Sequence, residues 1–147
     1  MTSDLPTSPD PGVLECGAAA VPTGGVLKVT GHFPSAVAGE EQMVKGSVSV
    51  AAKRGEARGV VTPQAEAFLV RDGRIVTLPM AQDAVGRSID LADGKVERMP
   101  AMATLIPCSG GGVLAAGTYE LYVRVVLNDD DGSRVDSLGG PWPLEVR

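Results

Sequence analysis

The chain has 147 residues, enough for one domain that buries a real core without metal clusters. Its formal charge is −5 and its only adjacent basic pair is Lys53-Arg54, which argues against a nucleic-acid partner. Hydrophobic residues at 44% exclude wholesale disorder, while 19 Gly and 11 Pro disfavour a helical bundle.

Residues 1–24 are rich in Pro, Gly, Ser and Thr and read as a linker or irregular N-terminal segment. The opening MTSDLPTSPDPG has neither the basic start nor the apolar stretch of a secretory signal. Residues 25–147 form the expected domain. Its first strand is VLKVTGHF, with Leu27, Val29 and Phe33 on one face and Lys28, Thr30 and His32 on the other. Pro34 ends it.

MVKGSVSVAAK alternates more cleanly, with Val44, Gly46, Val48, Val50 and Ala52 inward and Lys45, Ser47, Ser49 and Lys53 outward. VVTPQAEAFLV reads as a further strand with Pro63 at its start or at a bulge. Asp72-Gly73 is a tight hairpin signal, because both positions tolerate positive φ. AQDAVG reads as a loop, with a turn or two near 81–86 the best helical candidate. SIDL and a turn at Asp93-Gly94 follow, and MPAMATLIPC is either core or an edge able to accept a partner strand.

LAAGTYELYVRVVLN carries the longest alternation, with Tyr119, Leu121, Val123, Val125 and Leu127 on one face of a strand central to its sheet. DDDGSR is a turn. The last strand puts Trp142, Leu144 and Val146 on one face. Seven to nine short strands with turn signals between them read as an all-β sandwich or barrel. No apolar run approaches the ~20 residues of a membrane helix.

There are two cysteines, Cys16 and Cys108. They are compatible with one disulfide across a long loop in an oxidising compartment, or with two free thiols in a cytosolic protein. The disulfide fits the linker-like start better. It favours an extracellular or cell-envelope location, with any signal or anchor outside this chain.

In LAAGTY, Tyr119 stands two residues after Gly117 where a late strand begins. This resembles the tyrosine corner of immunoglobulin-like sandwiches, in which a tyrosine hydroxyl bonds backbone a few residues upstream. The string as a whole resembles Ig-like or fibronectin-like domains of bacterial secreted or surface-anchored proteins. The resemblance implies an antiparallel β-sandwich with Greek-key connections and structural roles for Gly117, Tyr119 and Trp142. The antibody Cys–Trp–Cys pattern is not met: Cys108 precedes the tyrosine and Trp142 lies in the last strand.

Candidate chemistry is sparse. Asp129, Asp130 and Asp131 are weak calcium candidates, because the position where an EF-type loop would begin is Leu127. The plainer reading is a solvated turn. His32 is the only histidine, G-x-S-x-G is absent, and SGGG lacks the Lys-Ser/Thr of a phosphate loop. No catalytic residue and no cofactor are expected. The expectation is a noncatalytic extracytoplasmic module that recognises or spaces a protein or cell-envelope component. The alternatives are a proteinase-inhibitor-like sandwich or a small loop-built metal-dependent binder or enzyme. Loops 34–42, 79–87 and 128–140 are where function would concentrate.

Overall fold

The computed structural model describes residues 7, 14–19, 25–80 and 85–147. Ten strands follow in order: β1 Leu27–His32, β2 Ala36–Val37, β3 Met43–Ala52, β4 Ala57–Val61, β5 Ala65–Arg71, β6 Arg74–Ile75, β7 Arg87–Leu91, β8 Val96–Thr104, β9 Gly117–Asp129 and β10 Arg134–Val146. The helical turn expected near 81–86 falls mainly on 81–84, outside the described residues. Val85 makes an isolated antiparallel bridge to Thr7.

The antiparallel two-layer Ig sandwich expected from the sequence is corrected by the topology. All ten strands belong to one hydrogen-bonded sheet, with the main path β1-β3-β8-β5-β9-β10-β2. Two joints on that path are parallel: Ala65–Glu66 of β5 beside Ala101–Met102 of β8, and β2 beside Glu145–Val146 of β10. The first stitches together the halves that a sandwich would keep as separate layers. The sheet therefore curls on itself as a mixed half-barrel. Its two ends, β1 and β2, are consecutive in sequence, so residues 27–37 span from one edge to the other.

The alternation read in the sequence sets the concave face. Val48, Val50, Leu69, Leu121, Val123, Val125, Leu127 and Leu144 are fully or almost fully buried there. β9 is central: β10 pairs along one side, and β5 and β4 share the other. β8 is also interior, with Met99, Ala101 and Ala103 buried, so MPAMATLIPC is core rather than a free edge. Pro63 separates β4 from β5 instead of lying within one strand, since it has no N–H for a ladder.

One close approach requires glycine, and one turn requires positive φ. Gly59 has φ 154°, and a Cβ there would sit 2.0 Å from the Asn128 carbonyl oxygen, where β4 crosses onto β9. Asp72 and Gly73, at φ 54° and 78°, make the β5–β6 hairpin turn that the sequence signals.

Residues 14–19 form a strap against the convex face. Cys16 and Cys108 form a disulfide with Cα atoms 5.7 Å apart. The Gly17 N–H donates to the Ile75 carbonyl (2.8 Å), and the Ile75 N–H donates to the Ala18 carbonyl (2.9 Å). Leu14 and Ala18 pack on a second apolar cluster of Phe68, Val70, Ile75 and Tyr122. No described helix is long and apolar enough to cross a membrane.

Candidate functional site

The corner at Tyr119 has the geometry expected of it, in a sheet that is not the Ig sandwich. Buried Tyr119 donates its hydroxyl to the Ala115 carbonyl at 2.5 Å, four residues upstream. The same oxygen accepts a bond from Arg71 Nη1 at 3.2 Å, and the guanidinium lies 5.1 Å from the ring centroid. A Cβ on Gly117 would stand 2.9 Å from Arg71 Nη2, so glycine here leaves room for the arginine. Trp142 is half-buried. It lies against Gly31 of β1 and stacks at a tilt on Phe33, with centroids 6.1 Å apart. It closes the gap between the curl's ends. The sequence alone does not reveal Arg71 as the partner of Tyr119.

The aspartate run resolves into a turn. Asp129 Oδ1 accepts the N–H of Asp131 (3.0 Å) and that of Ser133 (2.9 Å). Among the described residues, no group of three or more His, Cys, Asp or Glu is placed to hold a metal ion.

A buried ion pair crosses β5 and β9. Arg124 Nη2 donates to Glu66 Oε2 at 2.7 Å, with both side chains at most a tenth exposed, and Asp136 approaches Arg124 at 3.9 Å. Burial pushes the Glu66 carboxyl above the usual carboxylate range. The hydrogen bond and charge of Arg124 pull the other way without cancelling that rise, and Asp136 adds to it. Glu66 is directly opposite Arg124 in register, which the sequence does not disclose because strand pairing is not local.

One recess lies among loops. A cavity of about 380 Å³ is lined by Gly39–Gln42, Leu105, Ile106 and residues 110–113. Val113 is two-thirds exposed at its margin, and the exposed Glu40 and Glu41 lie beside it. The glycine wall begins two residues after Cys108, so the disulfide anchors its stem. Of the loops singled out from sequence, 34–42 contributes to this cavity.

The outward face of β1, β3 and β8 is open and polar. In register, Thr30 stands beside Ser49 and His32 beside Ser47, and Ser49 faces Arg98 on the far side. His32 Nε2 and Ser49 Oγ share a hydrogen bond of 3.0 Å, and Arg98 Nε donates to Ser47 Oγ at 3.0 Å. A shallow groove of about 220 Å³ runs over Lys28, Thr30, His32, Ser49, Ala51 and Val96.

No family model and no curated protein matches this chain. Among solved structures, it is similar to Spo0M, a sporulation control protein from Bacillus subtilis: 17% identity, TM-score 0.46, over 84% of this chain and 50% of that one. It is also similar to the alkylpurine DNA glycosylase AlkC of Pseudomonas fluorescens (15% identity, TM-score 0.43, 83% of this chain and 30% of that one). A β-glucosidase from Listeria innocua gives 13% identity and TM-score 0.44, over 83% of this chain and 16% of that one. The chain thus spans half or less of each of these three proteins. At such scores the likenesses support no inference about fold or activity.

Proposed function

We propose that this protein is a noncatalytic extracytoplasmic recognition module whose partner is a protein or cell-envelope component. The observation that carries the reading is the cavity among loops 39–42 and 105–113, whose glycine wall is stemmed by the Cys16–Cys108 disulfide. A recess of this kind, with apolar lining from Leu105, Ile106 and Val113 and carboxylates at its margin, suits the capture of a side chain from a partner. Neither a nucleophile–base pair nor a pair of facing carboxylates lies among its lining residues. The disulfide supports an oxidising compartment.

Two measurements test this. Thiols are alkylated in intact cells that make the protein. A mass that shifts only after reduction is expected, and two alkylated thiols before reduction would remove the extracytoplasmic reading. Cross-linking through a photoreactive residue at position 113 should then give a discrete adduct in cell-envelope fractions. Glu40→Lys/Glu41→Lys should abolish that adduct. An adduct unchanged by the substitutions would place recognition elsewhere.

A further inference from the structure

We infer that the open face of β1, β3 and β8 is a binding surface for an acidic polysaccharide. The chain as a whole is acidic, at −5. This face is not. Its outward positions are 28, 30 and 32 on β1, 45, 47, 49 and 51 on β3, and 96, 98, 100 and 102 on β8. They carry three fixed cations, Lys28, Lys45 and Arg98, and not one Asp or Glu. Glu97, the nearest carboxylate in sequence, is paired to Arg87 at 2.7 Å instead. A patch of one sign on a molecule of the other sign concentrates oppositely charged ligands at the surface.

The remaining chemistry selects among polyanions. Between the cations run hydroxyls from Thr30, Ser47 and Ser49, at neighbouring register positions. Because Ser47 Oγ accepts from Arg98 Nε, its own proton is left to donate outward. Hydroxyl rows flanked by cations match a polymer that alternates carboxylate or sulfate groups with sugar hydroxyls. The groove of about 220 Å³ beside Lys28 and Thr30 offers a seat for one sugar residue. Stacking of single-stranded bases needs aromatic platforms, and the face has no Phe, Tyr or Trp. Insertion into a bilayer needs large apolar side chains, and Val96 is the one exposed large hydrophobic residue on this face.

The inference rests on the extracytoplasmic reading for its setting and uses a different surface from the loop cavity. The full-length chain is titrated with polygalacturonate of defined length, with neutral dextran of matched length and with phosphatidylglycerol vesicles, at several salt concentrations. Saturable binding to polygalacturonate is expected, with an affinity that falls linearly on a log–log salt plot. Lys28→Glu/Lys45→Glu should weaken it about tenfold or more, while Arg58→Glu, on β4 away from β1, β3 and β8, changes little. Both variants should keep the wild-type melting temperature, and Lys28→Gln serves if the double variant folds poorly.

Absence of binding overturns the proposal. So does equal binding by Lys28→Glu/Lys45→Glu, or tighter binding to the vesicles. Paired thiols together with no polysaccharide binding would leave the module reading standing and remove this surface alone.

Discussion

Glu66 and Arg124 face each other across β5 and β9, joined at 2.7 Å, and the pair lies almost wholly out of water. A buried pair of this kind contributes little net stability as a pair, but it is costly to break from one side. Glu66→Ala leaves the Arg124 charge with the more distant Asp136 and should cost about 3 kcal/mol in urea unfolding. A loss within experimental error would mean that water reaches the arginine.

The pH dependence has a definite sign. The folded-state pKa of Glu66 is raised, so in the window just above the ordinary carboxylate value the folded chain holds more protons than the unfolded one. The contribution of Glu66 is therefore fully present below the unfolded pKa and declines as pH rises through the folded one. Glu66→Gln should flatten this part of the stability–pH curve, read as urea midpoints from pH 4 to pH 8. An identical slope in both proteins would assign the dependence to other groups.

Tyr119→Phe removes a hydroxyl that donates to Ala115 and accepts from Arg71, while keeping the buried ring. The expected loss is about 1 kcal/mol, typical of one net hydrogen bond. In the aspartate turn, Asp129→Ala should cost a similar ~1 kcal/mol, because two backbone N–H groups lose their acceptor. Asp130→Ala should be close to neutral. Equal effects at the two aspartates would contradict the turn geometry.

Gly59→Ala asks a side chain to occupy the position of the Asn128 carbonyl at a backbone angle that L-residues avoid. A loss of about 3 kcal/mol or more is expected, with the β4–β9 pairing the first to open. Hydrogen exchange at residues 59–61 and 127–129 reads this directly.

Reduction of Cys16–Cys108 removes a cross-link between residues 92 apart, worth roughly 4–5 kcal/mol in the chain-entropy account. Two strap hydrogen bonds to Ile75 and the contacts of Leu14 and Ala18 remain. Cleavage by a glutamate-specific protease after Glu15 should then accelerate about tenfold, as the strap samples open states. Unchanged cleavage would show that those contacts alone hold it.

How much of this was legible depends on the range of the interaction. The alternation of Tyr119 to Leu127, the outward row Lys28, Thr30 and His32, and the Asp72-Gly73 turn are local signals, and the structure carries each of them. Partner choice is not local. Nothing around Ala65 announces a parallel partner at Ala101, and that short joint turns an expected sandwich into one curled sheet. The strap escaped for a different reason: Leu14 and Ala18 meet the convex cluster without any periodic pattern, among residues whose composition reads as linker. The loop cavity is half legible, since 34–42 reads as a loop whereas residues 105–113 read as strand and connector.

The clasp made by residues 27–37 has a consequence in time. Ala36 cannot meet Glu145 until the last strand exists, so the curl closes late, however early β1 and β3 pair. The long β9–β10 ladder can form across a short turn, but the β5–β8, β4–β9 and β2–β10 joints close large loops. Folding is thus expected in the millisecond-to-second range of non-local β topologies, with the β9–β10 hairpin leading and the clasp completing it.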